Sequence, residues 1–385
     1  MKQKLAYLLK HNALLQRVYR CTMSLVFRTL GLFVPVDPEL ALFVSFMGTR
    51  YNDSPREIFR ALEQTDGGRK LRCVWAFETP ERYPQLDTVR IDTLSYFMTA
   101  LRAKYWVTNT NIERGLRFKK RDQIYLNTWH GVALKTIGND CPGRNDYDFS
   151  SIDHMCVSGA HDERVFASAF RVRPERCLRC GMPRNDRLYR TTPEERARLR
   201  TELGIPEGKT VILYAPTWRE STDGGRTYAI APPIDLQKWE QTLGASHVIL
   251  FRAHHMTTQV MHVQFSDFVR DCTDYPDIND LMIASDLLIT DYSAVAFDYA
   301  ILAKPILIFA YDYDAYLAER GTYFDMAERY PSEIYRDEDA LLRGLQSVDM
   351  EAASRRTAAF AREFMEYGGD ATRACVEALL GEGAK

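Results

Sequence analysis

Short apolar runs recur along the chain, each followed by a longer stretch in which apolar positions return every three or four residues. In the first half the runs are Leu42–Phe46, Cys73–Phe77, Tyr105–Thr108, Ile124–Thr128 and Met155–Ser158. In the second half they are Val211–Ala215, His247–Arg252, Leu287–Thr290 and Ile306–Phe309. A continuous apolar run of this length reads as a strand covered on both faces, and the helical stretches between are what covers it. The alternation predicts an α/β chain with parallel sheets of βα units. Between the halves lies Gly181-Met-Pro-Arg-Asn-Asp186, followed by the strongly charged stretch Thr192–Glu202. The joint is placed there, giving a first Rossmann-like domain over 37–190 and a second over 191–385 that ends in closing helices. Two doubly wound domains that face each other aim the carboxyl ends of their strands into a shared central cleft, where ligands of such sheets bind.

Length supports two domains, because 385 residues exceed what one hydrophobic core usually organises. Charged residues make up 26% of the chain and nearly cancel to a net of −2, which gives no global electrostatic case for nucleic acid. Charge is uneven locally. Lys2, Lys4, Lys10, Arg17, Arg20 and Arg28 all precede the first acid, Asp37, and are interleaved with Leu5, Leu8, Leu14, Val18, Leu25 and Phe27 at roughly helical spacing. No apolar run there is long enough to span a bilayer, and no signal-peptide core is evident, so export is not expected. Residues 1–36 therefore read as a basic amphipathic helix, either lying on an anionic membrane surface or packed on the protein's own core. Eight scattered cysteines suit a reducing cytoplasm, and the lone Cys177-Leu-Arg-Cys180 is expected to be structural, with no metal site.

The residues at the strand ends carry the candidate chemistry. Asp286–Asp298 runs from an apolar strand through Thr290-Asp-Tyr-Ser293 into a helix, a layout that gathers backbone N–H groups and hydroxyls where a pyrophosphate could sit. The same layout also describes an ordinary capped βα connection. His130 follows a strand, between Trp129 and Gly131, and is a candidate general base. Arg252 and His254 stand two apart, so on extended chain they share a face that can hold a phosphoryl group, with His255 pointing away. Thr217, Trp218 and Arg219 end another strand and could edge a nucleotide site. Neither a P-loop nor a Gly-x-Gly-x-x-Gly fingerprint occurs. Asp312-Tyr-Asp314 has metal-binding spacing but reads equally as a loop.

Taken jointly, these segments resemble the CDP-glycerol glycerophosphotransferase family, the primases and polymerases of teichoic acids and related polymers. The resemblance rests on Phe43–Gly48 with Tyr51–Pro55, on Thr128-Trp-His-Gly131, and on Gly181–Asp186. In the second half it rests on Tyr214–Arg219, Arg252-Ala-His254, Thr290–Ser293, Phe297-Asp298, Lys304-Pro305 and Arg320–Asp325. It implies a GT-B-like fold and transfer of a polyol phosphate, glycerol 3-phosphate first, from a CDP-linked donor to a lipid-linked saccharide or polymer at the cytoplasmic membrane face. It also implies His130 as base with His254 assisting. Thr217, Arg219, Arg252, Thr290, Asp291, Ser293 and Ala294 become donor contacts, and Gly48, Trp129 and Gly131 the acceptor side. Ala294 departs from the family, which often has a second serine there. CDP-ribitol, a divalent ion, a nucleotide-sugar glycosyltransferase and a catalytically silent nucleotide-binding relative remain the alternatives. The chain's shortness favours a primase or single-unit transferase.

Overall fold

A computed structural model describes residues 13–217, 229–230, 233–253, 259–260 and 264–381. The first sheet contains β1 (Asp37–Val44), β2 (Arg72–Phe77), β3 (Asp87–Arg90), β4 (Ala103–Thr108), β5 (Ile124–Asn127), β6 (His154–Val157) and β7 (Cys177–Arg179). All of its pairings are parallel, in the order β3-β2-β1-β4-β5-β6-β7. After β8 (Thr210–Ala215) the short β9 (Ala229–Ile230) and β11 (Gln259–Val260) pair apart from the second sheet. That sheet is completed by β10 (His247–Phe251), β12 (Val269–Asp271), β13 (Leu287–Thr290), β14 (Ile306–Phe309) and β15 (Ile334–Tyr335). It is also parallel, in the order β12-β10-β8-β13-β14-β15. These are two Rossmann-type domains in a GT-B-like arrangement, each with its strand order reversing beside its first strand.

Period-2 geometry explains why the central strands are apolar throughout. In β1, Leu40, Leu42 and Val44 enter one core while Ala41 and Phe43 enter the core on the opposite face. In β8, Val211, Leu213 and Ala215 likewise part from Ile212 and Tyr214. Strands β3, β7, β12 and β15, absent from the sequence-based expectation, are short and outlying, and β3 reads Asp-Thr-Val-Arg.

The expected second unit, 191–385, is not continuous. The helix Met350–Phe364 buries Phe360 and Phe364 in the second core, after which the chain crosses back. The last helix, Ala371–Leu380, buries Ala371, Cys375, Val376 and Leu379 beneath the first sheet with Ala41 and Phe43. Its first turn is capped from the interdomain segment, where the Asp186 carboxylate accepts from the N–H groups of Ala371 (2.9 Å) and Thr372 (2.7 Å).

The basic segment forms the helix Ala13–Phe33, with Lys2, Lys4 and Lys10 outside the described residues. It docks on the first domain through Phe27, stacked on Phe97 at 4.5 Å, and through Arg20 Nε, which donates to the Gly115 carbonyl at 2.8 Å. Leu25, Leu32 and Phe33 remain 66, 82 and 80% exposed, so one face is packed and another is bare and apolar. Among the described residues no helix is long and apolar enough to cross a membrane.

Candidate active site

The ends of β1, β5, β8, β10 and β13 meet across a cleft of about 440 Å³. From the first domain it is lined by Phe46, Arg50, Asp53 and the turn Trp129-His-Gly131; from the second by Thr217, Arg252, Ser293, Ala294 and Asp298.

The Trp-His-Gly turn is held in an uncommon conformation. Trp129 has φ +52°, and its N–H donates to Asn127 Oδ1 at 2.8 Å. Gly131 has φ +153°, and a Cβ placed on it would lie 2.9 Å from the Ala294 Cβ, so the turn approaches the second domain too closely for any other residue. Beyond it the loop alternates between the two cores: Val132 and Leu134 are buried in the second and Ala133 in the first, and the Leu134 carbonyl accepts from the Tyr323 N–H at 2.9 Å.

This geometry sets the state of His130. Its Nδ1 lies 2.8 Å from the Asn109 carbonyl oxygen, which can only accept, so Nδ1 carries the proton and Nε2 keeps its lone pair. Burial lowers the imidazole's pKa below its ordinary 6.5, opposed in part by the Asn109 bond and by the nearby Asp53 carboxylate. The ring is neutral at physiological pH.

Facing it are cations. Arg252 is anchored through Nη1 to the carbonyls of Cys272 (2.8 Å) and Tyr275. Burial, with Arg50 nearby, lowers its pKa, the signature of a buried positive charge that gains from an incoming anion. Arg50 has no hydrogen bond or ion pair among the described residues and approaches from the other wall.

A third arginine ties the walls together. Arg184, in the interdomain segment, donates to Asp53 at 3.1 Å and to Asp298 at 2.8 Å, while Asn185 Nδ2 reaches the other Asp298 oxygen at 2.6 Å. Burial opposes its charge, but Asp298 and Asp53 outweigh burial and raise its pKa. Sequence reasoning named none of Arg50, Asp53, Arg184 and Asp298 as site residues. The motif around Arg184 was visible, but its partners lie 131 and 114 positions away.

The turn expected to hold a phosphate divides. Ser293 and Ala294 line the cleft, and Ser293 Oγ accepts from the Val295 N–H at 3.3 Å. Thr290 and Asp291 turn inward and do not line it. Thr290 Oγ1 donates to the Ala215 carbonyl at 2.7 Å, bracing β13 on β8. Asp291 Oδ1 accepts from the N–H groups of Thr217 (2.8 Å) and Tyr292 (2.7 Å), joining two loops that do line it. Both brace the wall in this structure. Gly48 is also behind it, a turn residue at φ +89° whose carbonyl accepts from the Glu78 N–H at 2.8 Å. Arg219 and His254 lie outside the described residues.

The Asp312-Tyr-Asp314 carboxylates are engaged elsewhere, Asp312 by the Tyr292 hydroxyl at 2.9 Å and Asp314 by Arg336 at 2.8 Å. Among the described residues one group has metal-ligand spacing: Cys156, Cys180 and Cys375, whose Sγ atoms lie within 4.8 Å of one another in the core between the first sheet and the last helix. Cys177 is not among them.

Comparison with known proteins adds a consistent finding. The sequence profile described as CDP-Glycerol:Poly(glycerophosphate) glycerophosphotransferase matches residues 26–380. A teichoic acid poly(glycerol phosphate) polymerase of Bacillus spizizenii is 30% identical over 99% of this chain and 100% of its own. One from Staphylococcus epidermidis is 34% identical over 82% of this chain, which spans only 46% of that longer relative. The solved wall teichoic acid polymerase TagF superposes with a TM-score of 0.80 at 31% identity, over 94% of this chain and 92% of that one.

Proposed function

Since the chain belongs to the CDP-glycerol:poly(glycerophosphate) glycerophosphotransferase family, we propose that it moves glycerol 3-phosphate from CDP-glycerol to a hydroxyl of a lipid-linked saccharide in teichoic acid or related polymer synthesis. The observation that carries this reading is the placement of a neutral histidine and two arginines on one cleft. His130 Nε2 takes the proton of the acceptor hydroxyl. The freed oxygen attacks the phosphorus next to glycerol, the anhydride bond to the other phosphorus breaks, and CMP leaves with the electron pair. Arg252 and Arg50 offset the charge that builds on the transferred group and on CMP, and the Ser293 hydroxyl adds a polar contact.

The work is done at the cytoplasmic face of the membrane. Support comes from the helix Ala13–Phe33, which carries most of the exposed large apolar side chains among the described residues and has Arg17 and Arg28 as well. Purified protein given CDP-glycerol or CDP-ribitol and a lipid-linked disaccharide should use CDP-glycerol, and product length separates single-unit from repeated addition. Exclusive use of CDP-ribitol would overturn the donor assignment, and no transfer from either would overturn the activity.

A further inference from the structure

His130 and Trp129 also stand at the inner end of a second cavity, of about 710 Å³, that leads away from the cleft over the first domain. Its wall is aromatic: Tyr19, Phe97, Trp129, Tyr147 and Phe149 line it, with the amides and hydroxyls of Asn111 and Thr110. Apolar ring faces beside a few polar side chains suit the alternating CH and OH surfaces of a saccharide. The cavity continues into an open groove of about 1220 Å³, with which it shares Arg20, Arg117, Arg144, Asp146 and Asp148. There, among the described residues, Arg17, Arg20, Arg28, Arg117, Arg144 and Arg171 meet two carboxylates, Asp146 and Asp148. Arg20 is engaged by Gly115 and Asp146, Arg117 by Asp148, and Arg144 by Asp146. Arg17 and Arg28 have no hydrogen bond or ion pair among the described residues. The far wall of the groove is the helix Ala13–Phe33, which carries the exposed Leu25, Leu32 and Phe33.

The surfaces thus follow one another as proton acceptor, aromatic cavity, cationic groove and apolar helix face. A lipid-linked saccharide presents its parts in the same order: hydroxyl, sugar, anionic phosphate link, hydrocarbon. We infer that the arginine groove between the Ala13–Phe33 helix and the 143–148 loop binds the pyrophosphate link of the lipid-linked acceptor, with the saccharide in the aromatic cavity and its hydroxyl at His130. The inference rests on the transferase reading, since it takes His130 as the reacting end. It assigns the groove to the acceptor, with the donor in the cleft on the other side of His130. Excess positive charge lowers the free energy of a bound dianion, and guanidinium forks fit its oxygens.

The test compares two water-soluble acceptors with the same disaccharide, one on a short alkyl pyrophosphate and one on a neutral alkyl chain. Wild-type protein should show a KM for the pyrophosphate acceptor lower by on the order of tenfold. In the double variant Arg28→Gln, Arg144→Gln that preference should fall to about one, with the KM for CDP-glycerol unmoved. No preference in the wild type, or one kept by the variant, would overturn the inference. Loss of binding to vesicles containing phosphatidylglycerol, with the soluble preference intact, would do so too, by giving the arginines to membrane headgroups. Calorimetric binding of the pyrophosphate acceptor without donor makes the same comparison independently of turnover. A protein that binds it through these arginines yet transfers nothing contradicts the reaction and not the groove.

Discussion

On the first-domain wall of the cleft one side chain is the proposed base: burial favours its neutral form, and the Asn109 carbonyl, met from a strained turn, fixes which nitrogen carries the proton. On the second-domain wall the work is divided among residues that face the cleft, Arg252, Ser293 and Ala294, and residues just behind it, Thr290 and Asp291. The contrast teaches that membership of a motif does not separate a ligand contact from a brace. In Thr290–Ser293 a residue that faces the cleft and residues that stand behind it are adjacent. A base needs one nitrogen in one state, whereas a diphosphate needs several donors held at once, and holding them consumes polar groups of its own.

The sharpest way to break this comparison is His130→Ala. Transfer should fall by at least about a hundredfold while calorimetric affinity for CDP stays near wild type, because a base acts on the acceptor and contributes little to donor binding. Activity within a few fold of wild type would remove the distinction between the walls. Arg252→Ala should do the reverse, weakening CDP-glycerol on the order of tenfold, with Ser293→Ala weaker in the same direction. Unchanged CDP affinity in both would place the donor elsewhere.

A subtler pair of measurements separates contact from brace. Thr290→Val leaves a buried carbonyl short of its partner, so the denaturant midpoint should drop by an amount equal to about 1 kcal/mol while the KM for CDP-glycerol moves less than about twofold. A large rise in KM with unchanged stability would make Thr290 a direct contact. The smallest effect is on pH. Burial lowers the His130 pKa, so the neutral base persists on acidification past 6.5, and the acid limb of kcat/KM should have its midpoint below that value. A midpoint above it would mean that another group controls the rate.

Much of the fold was legible because both sheets are buried on both faces, which makes their central strands continuous apolar runs. The outlying strands were not, since β3 has only Val89 buried. The return of the last helix to the first core was hidden as well: what holds it is Asp186 at its start and side chains such as Cys375 against Cys156, 219 positions away. Of the residues that line the cleft, His130, Arg252 and Ser293 could be placed there from the sequence because they stand after strands. The Asp53–Arg184–Asp298 bridge could not, because it joins three segments that only the folded chain brings together.

The central claim is that a phosphorus atom, not a carbon, is attacked in this cleft, and the nucleotide released reports it directly. Purified protein incubated with CDP-glycerol and a lipid-linked disaccharide should release CMP, one for each glycerol phosphate incorporated, and only when acceptor is present. Release of CDP with transfer of unphosphorylated glycerol would contradict the account, since it would mean attack at carbon as in a nucleotide-sugar glycosyltransferase.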